Sequence, residues 1–256
     1  MMPTDQRDME IVGVVKLLYR YPVKSMAAEA LTAIDVEWHG LAGDRRYAFA
    51  RSGVLSGFPW LSANKLPRLL RYRPAFADPE RPAGSTIQVQ TPDGCVMRLD
   101  SAELAAELAQ AHGAPVQLAQ LDRGTFDNMC LSLISETTVA ALGAATGRDL
   151  DPLRFRPNIV IETIDPTPFL EDTWVGDRLM IGDGPDAFTM QVNLRDVRCA
   201  MVNLDPATAE VDARVLKTIV RQRENCAGIY ATVHRPGTIH VGDPVRRVIH
   251  DGVGPA

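Results

Sequence analysis

The chain has 256 residues, 46 % of them hydrophobic and 23 % charged, with a formal net charge of −5 at pH 7. That material suffices for one large domain or two modest ones. No long basic run marks a general nucleic-acid footprint, and no window approaches the roughly 20 apolar residues a membrane-spanning helix needs.

In chain order, the opening MMPTDQRDME lacks the basic start and apolar stretch of a secretory leader, which predicts a cytoplasmic protein without a membrane segment. Residues 11–23 are β-branched and aromatic with partial alternation, and they predict a strand ended by Pro22. Residues 31–40 alternate again up to Gly40, and 45–53 form a third strand closed by a Ser-Gly turn. Residues 62–76 are ambiguous, and the turn formers of 76–85 predict a surface loop. In 81–100, TIQVQ, TPDG and CVMRLD in succession predict a hairpin. Residues 101–113 predict a helix capped by Ser101 and ended by Gly113. Residues 131–147 predict a short strand or turn and then a helix with Ser135 as its cap. A strand introduced by Pro157 is expected within 154–162, with further short strands at 174–183, 188–194 and 199–205. Residues 214–223 predict a helix with Val215, Leu216, Ile219 and Val220 on its apolar face. Residues 228–248 close the chain as strand, Pro-Gly turn and strand. The strands do not alternate regularly with the helices, which disfavours a doubly wound sheet. An α+β protein containing a β-barrel is expected. The loop 76–85 and the stretch 120–128 are candidate domain seams.

The four cysteines are Cys95, Cys130, Cys199 and Cys226. None forms a C-x-x-C pair, and a reducing compartment disfavours disulfides. Cys95, Cys130 and Cys226 are therefore expected to be small buried residues. The five histidines, His39, His112, His234, His240 and His250, show no ligand pairing at helical spacing. There is no phosphate-binding glycine loop, dinucleotide fingerprint or nucleophile elbow.

What remains is a set of polar residues at strand ends and turns, where function usually resides. They are Lys24 and Ser25, Asp44 and Arg45, Asp127 and Asn128, Arg154, Arg156 and Asn158, and Arg195, Arg198 and Cys199. Lys, Arg, Ser and Asn donors suit a phosphate-bearing ligand. A thiolate beside Arg198 suits a soft or high-valent metal, or a nucleophile. Together they imply a phosphorylated cofactor carrying a metal that accepts sulfur.

The stretches LYRYPVKSM, GLAGDRRYAF, FRPNIVIE, FLEDTW, LMIGD, VRCAMVNLDPAT and PGTIHVGDPV run through nearly the whole chain. In that order they resemble the MOSC family, named for the C-terminal domain of molybdenum cofactor sulfurase, and in particular its amidoxime-reducing members. The resemblance implies a MOSC β-barrel over 121–250 beside an N-terminal α/β portion over 10–120, whose first strands may complete the barrel. It implies molybdenum-molybdopterin as cofactor, with Cys199 as both metal ligand and catalytic residue. Lys24, Ser25, Arg45, Asp127, Asn128, Arg156, Asn158 and Arg198 are the cofactor-binding residues it implies. The expected activity is a molybdenum-cofactor oxidoreductase acting on N-hydroxylated compounds.

No membrane anchor, no cysteine cluster for a ferredoxin domain and no aminotransferase-like domain are expected from this sequence. Electrons are thus expected from a separate ferredoxin or cytochrome b5-like protein, with no nucleic-acid or membrane partner. Pyridoxal phosphate is expected only on a separate partner, if at all. The alternative is a cofactor carrier or a sulfur relay with a Cys199 persulfide, served by a cysteine desulfurase. Plainer roles compete at single positions: Lys24 and Arg45 as solvated charges, Ser25 as a turn cap, Asn158 as a turn former, and Arg156 in an ion pair with Glu162 or Asp172. FLEDTW reads as a fold element with Trp174 in the core.

Overall fold

The computed structural model describes residues 9–54 and 58–248; His250 lies outside them. Its strands begin with β1 (Met9–Arg20), β2 (Glu29–Leu31), β3 (Ala33–Glu37), β4 (Gly40–Leu41) and β5 (Tyr47–Arg51). Next come β6 (Arg73–Phe76), β7 (Ile87–Gln90), β8 (Val96–Arg98), β9 (Val116–Gln120), β10 (Leu131–Ser135) and β11 (Ile159–Thr163). The chain then forms β12 (Arg178–Ile181), β13 (Phe188–Val197), β14 (Cys226–Arg235), β15 (Gly237–His240) and β16 (Pro244–Val248). Three α-helices accompany the described strands: α1 (Ala102–His112), α2 (Glu136–Thr146) and α3 (Arg214–Arg223).

Seven strands form a closed barrel in the order β11-β10-β14-β13-β12-β16-β1, because β1 also pairs with β11. Only the β10–β11 pair is parallel. The N-terminal strand thus belongs to the same closed sheet as the C-terminal one, and closure leaves no long free edge. Val15, Leu18, Ile161, Leu179, Phe188, Met190, Val192 and Ile229 fill the barrel. Each such side chain contributes roughly 1.5–3 kcal/mol by leaving water. Trp174 is buried among them.

A second core sits in a lobe made of the β5–β9 pair, the β6-β7-β8 sheet and α1, and is centred on Phe49, Leu70, Tyr72, Val89 and Leu104. In α1, Ser101 Oγ accepts from Leu104 N at 3.2 Å, and Gly113 ends the helix at φ 80°. A third core packs α2 and α3 against the barrel through Val139, Leu142, Val215 and Ile219. Val220, expected on the apolar face of α3, is exposed.

Three expectations need correction. The segment 199–205 is not a strand: Ala200–Asn203 is a short 3-10 turn. Its apolar side chains serve two cores, with Val202 packed against the helices and Leu204 in the lobe, so they do not alternate about one sheet. The loop 76–85 is not a seam, because it joins β6 to β7 within one sheet. Cys95 is exposed beside the hairpin turn rather than buried.

Candidate functional site

Between the lobe and one end of the barrel lies a cleft of about 360 Å³. Phe58, Ser62, Asn64 and Phe126 line it from the N-terminal side, and Asn158, Asp196, Cys199 and Tyr230 from the barrel. A bulge shapes its barrel wall. The β13–β14 register shifts between Arg195 and Val197, where Gly228 adopts φ 78°. A Cβ on Gly228 would stand 2.6 Å from Leu133 O and 3.2 Å from Arg198 Nη2. Glycine therefore permits the close approach that seats Arg198.

Cys199 follows directly and is exposed in the cleft, with Asn64 Nδ2 at 3.9 Å from its Sγ. Arg198 lines the cleft, and each of its nitrogens already has a protein partner. Its Nε donates to Ala227 O at 2.7 Å, Nη1 to Phe155 O at 2.8 Å, and Nη2 pairs with Asp196 Oδ2 at 2.8 Å. It braces the segment that presents the thiol.

Lys24, Arg45 and Arg156 lie near one another. Arg45 and Arg156 both stack on Tyr21, their guanidinium carbons 4.5 and 4.1 Å from the ring centroid. Arg45 is held by Asp44 and donates to Arg156 O at 3.0 Å. Lys24 donates to Thr125 O at 2.7 Å and to Asp127 Oδ1 at 2.6 Å. Burial pulls the Lys24 ammonium below its ordinary pKa, and Asp127 opposes that shift. Burial, together with the Arg45 charge, lowers Arg156 to about 10. Arg156 makes no ion pair with Glu162 or Asp172, which bind Lys16 and the Arg195–Arg223 pair respectively. Its Nη2 is buried without a hydrogen-bond partner among the described residues. Arg45 and Arg156 both hold left-handed backbone, at φ 49° and 50°. Such strain persists only where surrounding contacts enforce it.

The other expected residues divide. Asp127 lines the cleft, whereas Asn128 is exposed and does not. Ser25 is buried in the turn closed by Met26 N donating to Val23 O, and it does not line the cleft. Asn158 lines the cleft, but its Nδ2 donates to Tyr19 O and Asp44 Oδ2 while its Oδ1 accepts from Ser132 N. It positions Asp44, and through Asp44 it positions Arg45.

Asp196 was not among the candidate site residues read from the sequence. It is 1 % exposed and lines the cleft. Its Oδ2 accepts from Ser132 Oγ at 2.8 Å and pairs with Arg198, whereas Oδ1 has no hydrogen-bond partner among the described residues. Burial raises its pKa to about 6 even though Arg198 opposes the shift. Tyr230 lines the same wall, and burial lifts its phenol above the ordinary range. A lone Asp in RDVRC carries no sequence signal of burial.

Two family models match the chain, one described as the MOSC domain over residues 111–246 and one as the MOSC N-terminal beta barrel domain over 12–130. Among curated proteins, mitochondrial amidoxime-reducing component 1 of Danio rerio is 28 % identical over 204 residues, covering 75 % of this chain and 50 % of that protein. Mitochondrial amidoxime reducing component 2 of Rattus norvegicus is 32 % identical over 132 residues, covering 46 % and 37 %. The chain thus spans half or less of the length of these relatives. Among solved structures, the YUAD protein from Bacillus subtilis matches with TM-score 0.53 at 14 % identity, over 96 % of this chain and 100 % of that one, which supports the fold alone. No helix among the described residues is long and apolar enough to cross a membrane.

Proposed function

Since the chain belongs to the MOSC domain family, we propose that its cleft holds the molybdenum-molybdopterin cofactor and that the protein reduces N-hydroxylated compounds. The substrate class comes from the names of the amidoxime-reducing relatives. The observation that carries the reading is an exposed thiol and a buried, unpartnered guanidinium nitrogen lining one cleft. The first suits a soft metal and the second an oxyanion.

The cofactor, when bound, supplies the two-electron chemistry that removes oxygen from an N–OH group. The rest falls to the chain. Cys199 Sγ offers the metal ligand. Arg45 and Arg156 line the cleft and would offer the cationic surface for the phosphate, with Lys24 tied to the lining residue Asp127, which opposes the loss of its charge on burial. Phe58 and Phe126 line the cleft from the lobe side and offer it apolar surface. Asp196, whose carboxyl titrates near pH 6, would take up a proton on the acidic side of that value and deliver it inside the cleft, where departure of a hydroxyl as water consumes protons. Electrons come from a separate ferredoxin or cytochrome b5-like protein.

The test compares molybdenum and pterin content of wild type and Cys199→Ala, made in cells that synthesise the cofactor. Near-stoichiometric molybdenum that falls sharply in the variant is the expected result. Wild-type protein with neither metal nor pterin overturns the reading. Cofactor bound without turnover, using an artificial donor and an amidoxime, turns it toward the carrier or sulfur-relay alternative.

A further inference from the structure

Arg156 lines a second cleft of about 460 Å³, which contains neither Cys199, Lys24 nor Arg45. The lobe contributes Arg71, Arg73 and Thr91 to it, and Leu153 and Pro206 come from the barrel side. We propose that this second cleft binds a phosphate-ester anion, gripped by Arg71, Arg73 and Arg156 with the Thr91 hydroxyl as a further donor. Arg156 lines both clefts, so this proposal shares that residue with the cofactor reading, and Arg71 and Arg73 are what distinguish it.

Charge is the first argument. Three arginines line this cleft in a chain whose net charge is −5. Among the described residues, the side chains of Arg71 and Arg73 have no ion pair and no hydrogen bond, while most other arginines have both kinds of partner within reach. Asp151 is the one carboxylate in the lining, and its Oδ1 already accepts from Leu153 N at 2.8 Å. The excess matches a phosphate monoester, which carries about −1.5 to −2 near neutral pH.

Unmet hydrogen bonding is the second argument. Arg156 Nη1 donates to Met26 O at 2.8 Å, which fixes the guanidinium, yet Nη2 has no hydrogen-bond partner among the described residues. Thr91 also lines the cleft, and its hydroxyl makes no hydrogen bond among the described residues and is open to the cleft. For the buried Arg156 Nη2, the missing partner costs about 1–3 kcal/mol, which a bound oxyanion would recover. Planar guanidinium forks suit phosphate oxygens in pairs. Shape is the third argument. Ala27, Ala28, Leu70, Leu153 and Pro206 provide an apolar floor for the carbon part of an ester.

The test is calorimetric titration of the full chain with phenyl phosphate and with inorganic phosphate, at low and moderate salt. Phenyl phosphate is expected to bind the more tightly, and salt to weaken both. The Arg71→Ala/Arg73→Ala variant is expected to lose about tenfold or more in affinity, roughly 1.4 kcal/mol. Both residues are exposed, so its melting temperature is expected to stay at the wild-type value. Thr91→Val tests the hydroxyl with little change of volume and is expected to weaken binding severalfold. Lys24→Met is expected to leave this binding intact. Unchanged affinity in the double arginine variant, or no binding by wild type, overturns the proposal. Affinity lost only in Lys24→Met also overturns it, because the anion would then occupy the Cys199 cleft, and the cofactor reading would stand. Absence of molybdenum from the protein bears on that reading alone.

Discussion

Lys24 Nζ lies 2.6 Å from Asp127 Oδ1, although 103 residues separate the two in the chain. The contact ties the segment after β1 to the connection between β9 and β10, whose Asp127 lines the Cys199 cleft. Burial disfavours the charged lysine, and Asp127 restores part of its basicity. Asp127→Asn is therefore expected to lower the Lys24 pKa further, as read by the side-chain nitrogen shift in NMR. Lys24→Met is expected to weaken cofactor retention by about tenfold or more, as removal of a charge-assisted contact implies.

Asp196 is expected to shape the pH dependence of stability. Its carboxyl titrates near pH 6 in the folded state and at 3.8 in the reference state. Between those values the folded chain keeps a proton that the unfolded chain has released. Its contribution is thus complete below about pH 3.8 and is lost as pH rises through 6. The melting temperature of wild type relative to Asp196→Asn should fall across that window. A difference that stays flat with pH would refute the assignment.

Glu171 is buried in a different setting. Its Oε1 accepts from Ser135 N at 3.1 Å, and its Oε2 from Ser135 Oγ at 2.9 Å and Thr138 Oγ1 at 3.0 Å. It thereby holds the start of α2 against the barrel. Glu171→Ala orphans these donors and is expected to cost roughly 2–4 kcal/mol, read by denaturant unfolding. Burial raises its pKa even though these hydrogen bonds oppose the shift. Ionisation therefore costs stability as pH rises through the folded pKa, and Glu171→Gln should lose less than wild type over that rise.

Gly228→Ala tests the bulge beneath the thiol. A Cβ there would meet Leu133 O at 2.6 Å, on a backbone at φ 78°. The strain and overpacking together are expected to cost roughly 2 kcal/mol or more. The variant should also retain less molybdenum than its stability loss explains, because Arg198 Nη2 lies in the path of the methyl group. Metal content and melting temperature, measured on one preparation, separate the two effects.

Local signals were legible where one short segment satisfies itself. Ser101 and Gly113 bound α1, and Ser135 caps α2 with its Oγ accepting from Thr138 N at 3.1 Å. The strand after Pro157 and the 87–98 hairpin follow from the same kind of evidence. Clustering of Lys24, Arg45, Arg156 and Cys199 around one end of the barrel was legible only through the order of several weak motifs taken together.

Amino-acid pattern alone determined most of the strands and all three described helices, since periodicity, caps and turn residues act within a few positions, but it misassigned 199–205 and left β9 (Val116–Gln120) unread. Tertiary structure decided what those positions do. Closure of β1 against β11 depends on register between residues about 150 apart, and no local signal encodes that pairing. Burial turned Asp196 from an ordinary acidic residue into one that titrates near pH 6. Packing also separated three arginines of similar sequence context. Arg198 is engaged by backbone carbonyls, Arg45 is held by Asp44, and Arg156 keeps one nitrogen unpartnered between two clefts. Desolvation and hydrogen-bond partners assign those roles, and both come from chain segments remote in sequence.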